Sequence, residues 1–333
     1  MSMIPVVPRL VGACLATAVA VPAAQAASAP PQVFAPGVIS GPANDAAATF
    51  TPDGRTVYFF RSNHEDYDIL ASHFDGVRWS PPALAPFSGR WRDLEPAMSP
   101  DGRYLIFASS RPADDTGRAP DGHWGGQVHV GKGGSLWRVD RRGDGWSAPV
   151  RLPDAINFSD ATFSPAIAAD GTLYFMAATG AQGHFRLYRA AYAHGAYGTP
   201  QPLPFSSGAW SDVDPAVAPD QSFLVFSSTR PPASTTLDVF VAFRDGAGWS
   251  APVPLGAAIN ALAPIIEVRL GADGHTLYLT SGHVVAPAYP KDAAATAAGL
   301  QQMQDWNNGG DNIWSVDLAP LLPSLRAAAT AAK

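Results

Sequence analysis

The chain has 333 residues, with 22 Lys and Arg against 28 Asp and Glu and a net charge of −6. Lysine occurs only at Lys132, Lys291 and Lys333, and no basic run is present, which argues against a nucleic-acid or anionic-membrane surface. With 47% apolar side chains the chain can bury a large core.

Residues 1–26 have the pattern of a secretory leader. Arg9 precedes an Ala-rich apolar stretch from Leu10 to Ala24, and Ala24-Gln25-Ala26 matches a small-x-small cleavage site. The stretch is too short to span a bilayer, and no later segment is long and apolar enough. The alternative, a lipid anchor on Cys14, has Arg9 where its apolar run should lie. Cleavage after Ala26 would leave a mature chain without cysteine, held by packing alone. The expected division is therefore a leader over 1–26, one domain over 27–317 and a tail over 318–333.

Next comes a short segment, residues 34–39, that resembles Ser147-Ala148-Pro149-Val150-Arg151-Leu152 further along. Then a phrase recurs five times: TFTPDGRTVYFF, AMSPDGRYLIFASSR, AIAADGTLYFMAA, AVAPDQSFLVFSSTR and VRLGADGHTLYLTS. Its aspartates, Asp53, Asp101, Asp170, Asp220 and Asp273, are 48, 69, 50 and 53 residues apart. Pro-Asp-Gly is a tight-turn signal: Pro presets φ, Asp bonds its own backbone and Gly accepts a positive φ. The run after each turn is apolar on both parities, as in Tyr104-Leu105-Ile106-Phe107. Such a strand is sandwiched between neighbouring sheets. The strand before the turn carries small residues at one repeat position, Ala97, Ala166 and Ala216, which suits crowding near an axis. A third strand follows (Asp68-Ile69-Leu70, Ser135-Leu136-Trp137, Asp238-Val239-Phe240), and a fourth begins at the Trp-Ser-x-Pro phrases of Trp79, Trp146 and Trp249. Tyr197 stands in the same place in the third repeat.

Strands a to d in one repeat describe a propeller blade, and radial closure hides the sheet edges. The expected fold is all-β, a five-bladed propeller, with six blades as the alternative. The fifth repeat lacks a strand d after Trp314, so residues 34–39 are expected to supply it and close the ring. The tail should form a short helix.

These phrases resemble the WD40-like PD repeats of the TolB periplasmic propeller family, over residues 33–317. That resemblance implies blades and an envelope location. It does not specify a function, because such blades serve binding, scaffolding and catalysis alike. No TolB-type amino-terminal α/β domain fits between residue 27 and the first repeat.

Propeller geometry puts the d–a and b–c loops on one face. That face receives both long insertions, residues 112–134 with His123, Trp124, His129 and Lys132, and residues 282–311 with an expected helix over 291–306. Long loops beside minimal turns suggest binding. Trp91 and Trp210 occupy equivalent loop positions, where an exposed aromatic can stack on a sugar or grip a peptide.

Six residues before the turn aspartates stand Ala47, Glu95, Ser164, Asp214 and Glu267. Three carboxylates around one channel suit a glycosidase or lyase, whose acids stand about 5–10 Å apart. Ten residues after the turns stand Asn63, Arg111, Gly180, Arg230 and His283. Acid and cation thus occur in the same repeats, which predicts intrablade ion pairs Glu95–Arg111 and Asp214–Arg230. The expected function is an exported binding or interaction module. Its binding residues would be Trp91, Trp210, Glu95, Asp214, Glu267, Arg111, Arg230, His123 and Trp124. Its partner would be an envelope protein, a peptide or a glycan. The alternative is a hydrolase or lyase using Glu95, Asp214 and Glu267. No pattern indicates a metal or an organic cofactor.

Overall fold

The computed structural model describes residues 29–179, 183–232, 236–246 and 248–331. The leader, its cleavage point after Ala26 and Cys14 lie outside the described residues. Within them the chain forms five four-stranded antiparallel blades. Blade 1 comprises Asn44–Phe50, Thr56–Ser62, Tyr67–His73 and Ala83–Leu84. Blade 2 comprises Asp93–Met98, Tyr104–Ser109, Ser135–Arg142 and Val150–Arg151. Blade 3 comprises Thr162–Ile167, Leu173–Thr179, His184–Ala190 and Gln201–Pro202. Blade 4 comprises Asp212–Val217, Phe223–Ser228, Asp238–Asp245 and Val253–Pro254. Blade 5 comprises Ile266–Leu270, Thr276–Ser281, Asn312–Asp317 and the N-terminal Gln32–Val33.

Each sequence phrase has a visible job. The turn aspartates accept from the amide two residues on, as Asp101 does from Arg103 at 3.1 Å and Asp273 from His275 at 3.0 Å. The left-handed position of the turn is glycine in four blades and Gln221, at φ 59°, in the fifth case. The b strands are buried on both faces, with Leu105, Ile106, Phe107 and Ala108 wholly enclosed. In the Trp-Ser-x-Pro phrases, Ser147 Oγ accepts from the Asp140 amide and Ser250 Oγ from the Phe243 amide, both at 3.0 Å. The tryptophan reaches back to the preceding blade. Trp146 packs edge-on to Tyr58 at 5.9 Å and donates to its hydroxyl at 3.2 Å. Trp249 meets Tyr174 in the same way at 6.3 Å. Aromatic contacts of this kind add to the area that blades bury against each other.

The two alternating d–a loop phrases also turn out to do one task. Ser88 and Ser206 accept from the Ile69 and Leu187 amides, while Asn157 and Asn260 accept from the Leu136 and Val239 amides. Both satisfy a strand-c amide that would otherwise be buried without a partner.

The ring closes as expected but in a different register. Val33 pairs with Trp314 and Gln32 with Ser315, two residues upstream of the anticipated segment. Phe34 then donates its amide to the Ile313 carbonyl at 2.8 Å, the place held by Leu152 and Leu255 in blades 2 and 4. Phe34 and Ile39 pack into the core beside Phe50 and Phe59. The helix Leu322–Ala331 lies against blade 4, with Leu325 and Ala329 joining the core of Val241 and Phe243. The second insertion carries the helix Ala293–Asp305, capped by Asp292, which accepts from the Ala295 amide at 2.7 Å.

A chain starting at Gly41 loses the last strand of blade 5 and leaves Asn312–Asp317 as a bare edge. Aggregation, or a melting point lower by more than 10 °C, is the expected outcome, since several kilocalories of burial go with it. A monomer with an unchanged melt would contradict closure by this segment.

Candidate functional site

All five a strands carry a β-bulge at the same place. The register shifts fall between Ala46 and Thr49, Leu94 and Ala97, Phe163 and Ala166, Val213 and Ala216, and Ile266 and Arg269. At each bulge one residue takes a left-handed backbone: Ala47 (φ 58°), Glu95 (55°), Ser164 (49°), Asp214 (55°) and Glu267 (53°). None is glycine, so each bulge carries strain of about 1–3 kcal/mol. The extra residue swings its side chain toward the axis, and there Glu95, Asp214 and Glu267 bring carboxylate oxygens within 4.8 Å of one another.

These acids join blades. Glu95 of blade 2 accepts from the Ser164 amide of blade 3 at 2.6 Å. Asp214 of blade 4 accepts from the Glu267 amide of blade 5 at 2.8 Å. In each case the amide met by the carboxylate belongs to the bulge residue of the next blade. Arg269 completes the joint, with Nη2 3.1 Å from Glu267 Oε2 and 3.0 Å from Ser164 Oγ. It stands where three other blades have Ala97, Ala166 and Ala216. An arginine breaking a run of small axial residues is the sequence signal for it.

Three buried acids share this one guanidinium. Burial first, and then the nearby Asp214 charge, raise the Glu95 carboxyl to about 7 against the pull of Arg269. Burial and the two neighbouring carboxylates push Glu267 well above the usual range, and burial also raises Asp214. The three acids are the group able to surround a metal ion among the described residues, but Arg269 already places a cation there.

The expected intrablade pairs are not formed. Arg230 Nη2 meets Asp212 Oδ1 at 2.6 Å, and Arg111 lies 3.8 Å from Asp93. In blade 1 Asp45, at the place of Asp93 and Asp212, also meets an arginine, but one two positions earlier on strand b, Arg61 at 2.6 Å. The partner is two residues earlier than the bulge acid, because the bulge turns Glu95 and Asp214 inward and leaves Asp93 and Asp212 facing strand b. Ser109 and Ser228 each donate to these aspartates at 2.6 Å. Burial still dominates at Asp93, which rises to about 6 despite Arg111.

Above Glu95 lies a cavity of about 420 Å³ on the loop-rich face. Its wall includes Tyr67, Arg92, Ser110, Trp124, Lys132, Phe163 and Phe185, with Glu95 and Leu94 at strand a of blade 2. Trp124 comes from the hairpin Gly122–Trp124 and Gln127–His129 inside the first insertion, and stacks on His129 at 3.6 Å. Of the other anticipated residues, His123 faces outward with Nδ1 2.6 Å from Asp160. Trp91 is half-buried and donates to Asp115 at 2.7 Å. Trp210 is 43% exposed, and neither tryptophan lines the cavity. The opposite mouth of the channel is lined by Phe50, Met98, Ile167, Val217 and Leu270, around only about 100 Å³.

No family model matches the chain, and no curated protein does. Solved structures similar to it include a protein of unknown function from Dyadobacter fermentans, 16% identical, with 78% of this chain and 80% of that one covered and a TM-score of 0.48. TolB from Acinetobacter baumannii is 13% identical over 72% of this chain and 51% of that chain, with a TM-score of 0.43. A Hadza microbial sialidase is 11% identical over 72% and 63%, with a TM-score of 0.42. The chain thus spans about half of this TolB chain. At this distance no residue role or activity passes from these proteins to this one.

Two predictions follow from the geometry. Arg230→Met strands a buried Asp212 and should cost about 3 kcal/mol, while adding Asp212→Asn should recover most of it. Urea melts of the four proteins of that cycle check this, and simple additivity would disprove the pairing. The second concerns pH. An acid whose folded value is raised from 4.5 to about 7 binds more protons folded than unfolded. Its contribution is present below about pH 4.5 and is lost as pH rises through 7. Wild type should therefore lose on the order of 2 kcal/mol between pH 5 and 8 from Glu95, and Glu95→Gln should show a shallower slope. Parallel slopes in the two proteins would show that Glu95 stays ionised.

Proposed function

We propose that the chain is an exported binding propeller that takes its ligand through the loop-rich face, in the cavity above Glu95. The supporting observation is the wall of that cavity, where an apolar aromatic surface adjoins Ser110 and Arg92. Ser110 Oγ and Arg92 Nε are buried and lack a hydrogen-bond partner. Buried polar atoms without partners are rare in a finished fold, and a ligand is one way of completing them. A concave apolar site with a few convergent polar groups is the usual form of a binding pocket. Export rests on the leader pattern of residues 1–26.

The hydrolase reading draws support from Glu95, whose raised value suits a general acid. The bonding favours binding instead. Glu95 and Asp214 are each committed to a backbone amide, and Glu267 is bonded to Arg269.

Methionine methyl signals provide the test. Met176 lines the cavity, whereas Met303 is exposed on the helix of the second insertion. A panel of short peptides, oligosaccharides and small carboxylates should include members that shift Met176 and leave Met303 unmoved, with Trp124→Ala abolishing the response. A panel that never moves Met176 would count against the cavity as a binding site. Mass spectrometry of the exported protein should find Ala27 at its start.

A further inference from the structure

Resting on that reading, we propose that the ligand is a small amphipathic anion: an apolar ring or branched chain joined to a carboxylate-like group. The aromatic side of the cavity takes the apolar part. Trp124 stands edge-on to Phe163 at 5.7 Å, Phe163 to Phe185 at 6.1 Å, and Phe185 tilts toward Trp124 at 6.1 Å. Met176 fills the space beside them on the same wall. The three rings pack on one another at angles, and the parts of them that line the cavity are left for a further ring or a branched chain.

The other side takes the charge. Arg61, Arg111, Arg230 and Arg269 each have a carboxylate of their own. Arg92 has no ion pair among the described residues. Its guanidinium lies over the Tyr67 ring at 4.3 Å, and both residues line the cavity. Stacking on a ring fixes the guanidinium plane and leaves its edge for a planar anion. Ser110 sits next to it, since the Ser110 amide donates to the Arg92 carbonyl at 3.0 Å, and Ser110 is 3% exposed. Lys132 adds a second cation at the rim, 34% exposed and 3.3 Å from Glu65. Two cations and a hydroxyl therefore line the same cavity of about 420 Å³ as the three rings. That volume is near the lower end for small-molecule sites and suits one ring and its charged head rather than a folded chain.

Glu95 lies at the floor and would repel an anion if ionised. Burial and the Asp214 charge favour its protonated form, and Glu65 already offsets Lys132, so Arg92 is the cation left to set the sign of the cavity.

The test uses three probes of one shape: 3-phenylpropionate, 3-phenylpropanamide and 3-phenylpropylamine. Each is titrated into the protein carrying methyl-labelled methionine, with the Met176 signal as readout. The carboxylate should bind about tenfold more tightly than the amide, and the amine should bind least, a difference of about 1.4 kcal/mol per tenfold step. Arg92→Met should remove the preference for the acid while amide binding stays the same. Lys132→Met, at the exposed rim and so safe for folding, should narrow the preference. Equal binding of acid and amide, or preference for the amine, would overturn the anion assignment. If no probe moves Met176 while a member of the wider panel does, the ligand class is wrong and the binding site stands. If nothing moves it, both fail.

Discussion

The bulge in the innermost strand is the constraint on which the rest of this propeller depends. Five strands must meet around one axis, where Ala97, Ala166 and Ala216 keep most of the space small. An extra residue in each strand turns one side chain inward at a left-handed backbone that glycine alone adopts without strain. The strain persists because neighbouring blades hold it. Glu95 secures the bulge amide of blade 3 and Asp214 that of blade 5, so the acids act as pins between blades. Arg269 then reaches across from blade 5 to Ser164 of blade 3. The three acids read at first sight like catalytic equipment and are, by their bonds, the joint of the ring.

A rigid joint gives the cavity above it a fixed floor. The wall is less committed. It comes from an insertion whose hairpin leans on blade 3 through Trp124, so one element contributes both the stacking surface and the rim lysine. The far end of the channel is narrower, which leaves the loop-rich face as the place where a ligand can reach the axis. Arg61, Arg111 and Arg230 are paired off with aspartates of their own blades. Arg92, one residue before the Asp93 beside Arg111, has no ion pair among the described residues.

Much of this was legible in the sequence because repetition is a strong signal. The Asp-Gly turns, the twice-apolar b strands and the Trp-Ser-x-Pro phrases gave five blades, and the missing strand after Trp314 pointed to closure by the N-terminus. The insertions and the helix within the second were visible as excess length. The ion pairs were misassigned by two residues. A bulge breaks the simple alternation of sides, and nothing in a string of letters distinguishes Glu95 from Asp93 until the backbone turns. The clue that did exist was Pro96, Pro165 and Pro215, each directly after the bulge residue and unable to donate to the ladder. Arg92 and Ser110 could not have been paired by inspection, because they lie on different strands' ends and meet only through the blade.

The closing strand also sets an order of assembly. Ser40 and Ile313 bond to each other across 273 positions of chain, and Val33 and Trp314 pair beside them. The first part of the domain to be made must wait for the last before either is satisfied. Until then the strand Asn312–Asp317 has not been synthesised, and four blades stand in an open arc with unpaired edges. Contacts so remote in sequence form late and slowly. The interval before the ring snaps shut is thus the period when the protein is most exposed to sticking to its neighbours, and whatever accompanies it through synthesis has to cover that interval.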